Sequence, residues 1–292
     1  MLSSPLTPSR STPLSGDALD RALDDLTAFV RRGPVAVLAG AGLSTDSGIP
    51  DYRGPASRGR TRRPVRYDDF VADAAARRRY WARASRGWAR VADARPNAGH
   101  RALARLEASG TVLGTVTQNV DGLQQAAGGR RVIELHGALR EVVCLRCEAL
   151  WPRSAVQAQI AARNPGWLRG AADAPAPDGD AETADAEIAA FVPPACRACG
   201  GSLKPDVVFF GESVPKVRVA LARRLVAEAA SLLVVGSSLT VYSGYRFVRQ
   251  AEAEAMPVGI VTLGATRGHR HAALALDAPL GAVLPRLADA LA

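Results

Sequence analysis

The four cysteines of the chain fall into two pairs, "CLRC" (144–147) and "CRACGG" (196–201). Two residues between paired thiols let both sulfurs reach one tetrahedral cation, and the glycines after Cys199 permit the tight turn that such a knuckle needs. Cys144, Cys147, Cys196 and Cys199 are therefore the expected ligands of one zinc ion. Four thiolates leave no position for water or substrate, so the metal is expected to be structural and to contribute folding energy locally. Disulfides and redox dithiols are the competing readings. The first wants an oxidising compartment, and the second would have to occur twice.

A second constellation begins at "GAGLSTDSGIPDYRGP" (40–55). It starts as a dinucleotide-binding fingerprint and then departs from it. The glycines are Gly40, Gly42 and Gly48, Thr45 stands where the third should be, and no second strand with an acidic end follows. Hydride-transfer architecture fails here. What a pyrophosphate needs is still present: small residues for close backbone approach, a helix N-terminus expected near Ser44 to Ser47, and Arg53 as a charged partner. An ordinary tight loop is the alternative for a Gly-Ala-Gly turn alone. Further polar groups stand in "TQNVDGL" (117–123), "ELHG" (134–137), "LKPDVVFFGE" (203–212) and "VVGSSLTVYSG" (234–244). His136 in "ELHG" is a candidate base, because a neutral imidazole titrates near working pH and the motif puts it at a strand end.

Strand and helix must alternate to position these groups. Leu19, Leu23, Leu26 and Val30 share one face of a helix expected over 17–31, with Asp17 and Asp20 near its start. Short apolar runs at 34–40, 111–119, 131–135, 231–238 and 257–264 read as buried parallel strands, and 97–110 and 216–230 as helices between them. The pattern implies an α/β fold, a doubly wound parallel (Rossmann-like) sheet. From Cys144 to Gly201 the alternation stops, and 169–187 is an acidic mixture of Ala, Asp, Pro and Gly. This is the expected place of an inserted small zinc-ribbon module at about 140–205, with a loose loop between its knuckles.

The chain has 292 residues, 48% of them hydrophobic, enough for a substantial core. No apolar run approaches the roughly 18 residues of a membrane span. Residues 1–16 are rich in Ser, Pro and Thr and read as a flexible tail without a secretory signal; a mitochondrial transit peptide is the alternative, against which Arg10 stands as the segment's single arginine. The net charge of +9 raises the question of nucleic acid, but all basic residues except Lys204 and Lys216 are arginines, as codon bias would produce. The densest basic stretch (57–67) lacks interleaved aromatics for stacking on bases. No direct nucleic-acid partner and no membrane are expected.

Taken together, the opening motif, the paired cysteines and the four polar motifs resemble the sirtuin family of NAD-dependent protein deacylases, from about residue 17 to the C-terminus. "DYRG" (51–54), "RRYWAR" (78–83), "LKPDVVFFGE" and "GSSLTVYSGYRF" (236–247) look most like the class II branch, which includes the mitochondrial class II sirtuin of animals. The resemblance implies a sirtuin-type catalytic domain over 17–292 and a reaction that consumes NAD. The acyl oxygen of a modified lysine attacks C1′ of the nicotinamide ribose, nicotinamide leaves, and the ribose 2′-hydroxyl then attacks once a base has taken its proton. His136 would be that base. Gln118 would hold ribose hydroxyls, Asn119 would orient a water, and Asp121 would accept from the nicotinamide amide, with Val120 among them. Gly40, Ala41, Gly42, Ser44, Thr45, Asp51, Tyr52 and Arg53 would line the cofactor loop. Gly236, Ser237 and Ser238 would approach phosphates and adenosine ribose, with Thr262, Leu263, Gly264 and Leu280 near the adenine.

Thr262 stands where many members of that family carry Asn; it retains a hydroxyl but has a shorter reach, which leaves weaker NAD binding open. An acyl-lysine protein substrate would add as a strand beside Val208, Phe210 and Gly211. No Tyr-x-x-Arg pair follows Tyr67, which favours acetyl or a longer neutral acyl group. His100 is expected to pack or cap a helix, and His269 and His271 to have no partner. A cytoplasmic protein-lysine deacetylase is the resulting expectation. Protein mono-ADP-ribosyltransfer and a non-catalytic zinc-ribbon interaction module are the alternatives.

Overall fold

A computed structural model describes residues 13–51, 64–169, 183 and 185–292. Among these the helices are α1 (Gly16–Val30), α2 (Tyr67–Ala72), α3 (Ala74–Asp93), α4 (Ala98–Ala108), α5 (Leu123–Ala126), α6 (Arg153–Arg163), α7 (Asp185–Ala190), α8 (Lys216–Ala227), α9 (Tyr242–Ala253) and α10 (Leu280–Ala290). The strands are β1 (Val35–Ala39), β2 (Val112–Thr117), β3 (Val132–Glu134), β4 (Gly137–Cys144), β5 (Leu150–Pro152), β6 (Leu203–Val207), β7 (Ser231–Val235), β8 (Val258–Val261) and β9 (Leu274–Leu276).

Six strands form a parallel sheet in the order β3-β2-β1-β7-β8-β9. The alternation of side chains along a strand divides the core in two. Val35, Val37 and Ala39 of β1 and Leu233 and Val235 of β7 pack with α1, α4 and α10, whereas Ala36, Leu38, Leu232 and Val234 pack with α8 and α9 on the opposite face. Every residue of β1 and β7 is buried, which is why these runs are continuously apolar. The doubly wound sheet is as expected. β9 was not legible: "LAL" is too short for a periodic signal.

The segment without alternation carries an antiparallel sheet of its own, β5-β4-β6. It brings β4 from just beyond His136 and returns β6 to the rim of the large sheet. Its core joins Val142, Val156, Ile160, Phe191 and Leu203 to Phe70, Tyr80 and Trp81 from α2 and α3. Trp81 Nε1 donates to the Leu203 carbonyl at 2.9 Å, fixing α3 on β6. Two chain segments far apart in sequence thus build this second layer.

Candidate active site

The strand order reverses between β1 and β7, and the carboxyl ends flanking such a reversal form a crevice. Ala39 is in register with Val235, so Gly40 and Gly236 leave the sheet side by side. A Cβ on Gly40 would stand 2.7 Å from both the Gly236 carbonyl oxygen and Ser237 Cβ. One on Gly236, at φ 62°, would stand 2.6 Å from the Leu43 nitrogen. The Gly42 amide donates to the Gly236 carbonyl at 2.9 Å. These glycines therefore let the turn after β1 touch the turn after β7.

The helix N-terminus expected near Ser44 to Ser47 takes another form: two three-residue 3₁₀ turns, Ala41–Leu43 and Thr45–Ser47. Thr45 Oγ1 donates back to the Gly42 carbonyl at 3.0 Å, a local bond that competes with helix propagation. Gly48 at φ 81° ends the second turn, and Pro50 follows it. Asp51 closes the described segment, and the expected cofactor residues Tyr52 and Arg53 lie outside the described residues.

Ser44 is buried and central. It accepts from Asn119 Nδ2 at 3.0 Å and donates to Asp121 Oδ2 at 2.7 Å. Asn119 also donates to the Gly40 carbonyl at 3.1 Å, and the Leu123 amide donates to Asp121 Oδ1 at 2.9 Å. Burial lifts the Asp121 carboxyl above the ordinary 3.8, with Glu134 adding to the rise and the bonds from Ser44 and Leu123 opposing it. Gln118 Nε2 donates to Ser237 Oγ at 2.8 Å, binding the ends of β2 and β7. Val120 offers its carbonyl to the Leu139 amide at 2.9 Å, which ties this turn to β4.

His136 lies two residues past β3. Its Nδ1 is 2.9 Å from the Gln118 carbonyl and its Nε2 2.8 Å from Ser243 Oγ. A carbonyl only accepts, so Nδ1 carries the ring proton and Nε2 keeps its lone pair. Burial holds the imidazole below the ordinary 6.5; the Gln118 carbonyl opposes this, and the Arg246 and Arg218 charges add to it. The ring is thus a neutral base with a defined basic nitrogen.

Asn97 supports the turn after β1 from α4. Its Oδ1 accepts from the Gly99 and His100 amides while His100 Nδ1 accepts from the Asn97 amide, a reciprocal cap. Asn97 Nδ2 then donates to the Leu43 carbonyl at 2.7 Å and to Ser47 Oγ at 3.0 Å. His100 caps as expected, and burial, with the Arg101 charge adding, takes it down to about 4.

On the far side of the crevice, Ser238 Oγ pairs with Thr240 Oγ1 at 3.1 Å. Thr262 is buried after β8 with its amide on the Leu276 carbonyl, and the Gly264 amide donates to Asp277 Oδ1 at 2.9 Å. Leu263 is exposed, whereas Leu280 is buried beside Gly236. Val208, Phe210 and Gly211 run on from β6 rather than within it. The Val208 amide donates to the His136 carbonyl at 2.8 Å, and the Phe210 carbonyl accepts from the Tyr67 amide at 2.9 Å. A buried Lys204 steadies this segment: Nζ donates to the Val207 carbonyl at 2.6 Å and pairs with Glu212 at 3.0 Å, while Glu212 accepts from the Phe209 amide.

The cysteines converge at the tip of the small sheet. Cys144 Sγ is 3.5 Å from Cys199 Sγ, Cys147 Sγ is 3.8 Å from Cys196 Sγ, and all four sulfurs lie within 4.8 Å of one another. A tetrahedron with Zn–S bonds of about 2.3 Å has S···S edges of roughly 3.8 Å, so the donor set fits zinc. The four sulfurs converge unbonded on one point, the arrangement of a metal site rather than of two disulfides.

Sequence reasoning missed Ser243 and Lys204, which stand in quoted motifs, and Asn97, the first residue of the helix expected over 97–110. Their side chains act on neighbours distant in sequence, and a single sequence does not show that. His271 corrects an expectation: it is partnered. Its Nε2 lies 2.7 Å from Tyr245 Oη and its Nδ1 2.8 Å from Glu252.

Residues 40–243 match the model of the Sir2 family. The chain is 52% identical over 262 residues to NAD-dependent protein deacetylase 1 of Streptomyces coelicolor, covering 90% of this chain and 87% of the relative. It is 49% identical to NAD-dependent protein deacetylase 1 of Mycobacterium avium, covering 91% and 95%. Its fold matches a Sir2 structure with p53 peptide and NAD+ at a TM-score of 0.71 and 29% identity, covering 91% and 97%. A second structure, addressing the mechanism and regulation of Sir2 enzymes, gives 0.74 and 27%, covering 93% and 98%. These curated relatives are bacterial, and that finding replaces the expected likeness to the animal mitochondrial enzyme. The chain belongs to the Sir2, or sirtuin, family.

Proposed function

We propose that this chain is an NAD-dependent protein-lysine deacylase, in the first place a deacetylase. The observation that carries the reading is His136, held just past the end of β3 with Nδ1 on a carbonyl and Nε2 as the basic nitrogen. Relatives at about 50% identity bear the name NAD-dependent protein deacetylase, and neighbouring structures hold NAD+ and acetylated peptide.

The crevice suits a dinucleotide. Two glycine turns meet at the strand-order reversal, and the buried hydroxyls of Ser44 and Ser237 converge there with the half-buried amides of Gln118 and Asn119. When bound, NAD supplies a ribose that loses nicotinamide and carries the acyl group away. The chain's own residues do the rest. Gly40, Ala41, Gly42, Ser44, Thr45 and Asp51, with Tyr52 and Arg53, hold the phosphates and the nicotinamide side. Gln118, Asn119, Val120 and Asp121 orient the ribose and the amide. Gly236, Ser237, Ser238, Thr262, Leu263, Gly264 and Leu280 hold the adenosine side. His136 Nε2 takes the hydroxyl proton.

Cys144, Cys147, Cys196 and Cys199 would hold one structural zinc, which ties the module at about 140–205 together. Helices α2 and α3 share that module's core. The acyl-lysine protein adds as a strand beside Val208, Phe210 and Gly211, opposite the turn after β7. Class II placement rests on the motifs at 78–83, 203–212 and 236–247, with "DYRG" at 51–54. No described helix is long and apolar enough to cross a membrane, and a reduced four-thiolate site suits a cytoplasmic location.

The test is nicotinamide release with NAD and an acetyl-lysine peptide. A deacetylase releases nicotinamide only with the acylated peptide and in step with deacylation. Release coupled to ADP-ribose on protein would mark a transferase, and none would mark a binding module; either outcome would end the proposal.

A further inference from the structure

The basic nitrogen of His136 is not free in this structure. Since the Gln118 carbonyl claims the Nδ1 proton, the 2.8 Å contact between Nε2 and Ser243 Oγ has one sense: the serine hydroxyl donates and the ring accepts. Ser243 is the second residue of α9, and the N-cap residue Val241 makes no side-chain cap. Its hydroxyl serves His136 rather than its own helix, although a serine at a helix start would ordinarily bond backbone amides.

The start of α9 is fixed in place for this. A Cβ on Gly244 would overlap Gln118 Oε1, so α9 begins pressed against the residue whose carbonyl holds the other side of the ring. Gln118 is itself anchored, through its amide on the Ala39 carbonyl and its side chain on Ser237. The imidazole is thus gripped at both nitrogens, from the end of β2 and from the start of α9. Arg246 follows one helical turn after Ser243, packs over the Tyr242 ring, and places a positive charge near the imidazole.

We propose that Ser243 is a positioning residue for the base: its hydroxyl holds the His136 ring with Nε2 toward the crevice as the proton-accepting nitrogen. The inference rests on the reading of His136 as the base. In the transfer it serves, Ser243 turns its O–H off the single Nε2 lone pair; an O–H bond of the substrate ribose then breaks, its electron pair stays on the ribose oxygen, and an N–H bond forms at Nε2. The ring becomes imidazolium, and no electrons leave the pair of reactants. Ser243 Oγ, a donor to the neutral ring, turns to accept from the new N–H. A hydroxyl at this position can serve both protonation states without moving the ring, which alanine could not do.

The test has two arms. In the free protein, ¹⁵N spectra of the His136 ring should show Nδ1 protonated and Nε2 as a hydrogen-bonded acceptor. In Ser243→Ala the Nε2 resonance should move toward that of an unbonded acceptor and broaden as the ring gains freedom, and Ser243→Thr should restore it. In turnover, Ser243→Ala should lower kcat for deacylation by roughly tenfold or more, a part of the general-base contribution, with KM for NAD little changed. Nicotinamide exchange, which precedes proton removal, should be retained, and Ser243→Thr should recover most of kcat.

Unchanged ¹⁵N shifts in Ser243→Ala, or an unchanged kcat, would overturn the proposal. So would an equal loss of exchange and deacylation, the mark of a general disruption of the site. His136→Ala separates the two layers. If that variant still deacylates, the base assignment fails, while the ¹⁵N arm still reports the contact in the wild-type protein. If Ser243→Ala fails to fold, the wild-type spectrum and the Thr variant decide alone: an Nε2 resonance without a hydrogen-bond shift would end the inference.

Discussion

Ser44, in the turn after β1, donates a 2.7 Å hydrogen bond to Asp121, in the turn after β2. The bond joins two loops that the sequence separates widely, and it falls on a carboxylate that burial makes costly to ionise. A carboxylate that desolvation disfavours in its ionised form is a stability cost at neutral pH.

Asp121→Asn should therefore make the protein more stable and less active. The folded carboxyl titrates above its unfolded value of 3.8, so any stability held below that pH is lost as pH rises through the raised value. The thermal midpoint of Asp121→Asn should exceed that of wild type at neutral pH, and the gap should close as pH falls toward 3.8. A gap independent of pH would contradict this.

Asn97 both caps α4 and holds the turn at Leu43 and Ser47. Asn97→Ala should cost about 1–2 kcal/mol in urea unfolding and weaken NAD binding severalfold in titration calorimetry. Normal NAD affinity with reduced stability would separate the cap from the cofactor turn.

His100 supplies the other half of that cap, and burial takes its pKa down to about 4. The sign follows from the depressed value: the unfolded chain binds the proton first, so stability is full above about 6.5 and falls as pH drops toward 4. Protonation would also turn Nδ1 into a donor facing the Asn97 amide, itself a donor. Denaturation midpoints between pH 7 and 4 in wild type and His100→Gln check this, since the variant should lose part of the slope. Identical slopes would remove His100 from the account.

Zinc removal should act locally. Elemental analysis should find about one zinc per chain. Chelation, or Cys199→Ser, should loosen the small sheet and change the near-UV signal of Trp81, Trp151 and Trp167, which pack in its core. The parallel sheet has separate cores and should keep its far-UV signature. A metal-free, fully folded module would refute the four-thiolate site.

The parallel sheet was readable because β1 and β7 are buried on both faces and read as unbroken apolar runs. The cysteine pairs were readable because ligand spacing is local, and the polar turns because each is continuous in sequence. The second layer was not. It draws Phe70, Tyr80 and Trp81 from one segment and Val142 to Leu203 from another, and no periodicity connects them. The turn at Thr45–Ser47 defeated the expected helix start because a threonine hydroxyl satisfied the Gly42 carbonyl first. His271 looked unpartnered because Tyr245 and Glu252 reach it from α9.

His136→Ala should lower deacylation about 100-fold or more while leaving NAD binding and the thermal midpoint close to wild type. Stopped-time peptide assays and calorimetry on the same preparation check it. Retained deacylation would end the base assignment.

The most direct test of NAD consumption follows the acetyl group. With NAD and a peptide carrying an isotopically labelled acetyl-lysine, mass spectrometry should find nicotinamide, free-lysine peptide and labelled acetyl-ADP-ribose in equal amounts. Labelled free acetate without nicotinamide, or NADH in place of nicotinamide, would contradict the account.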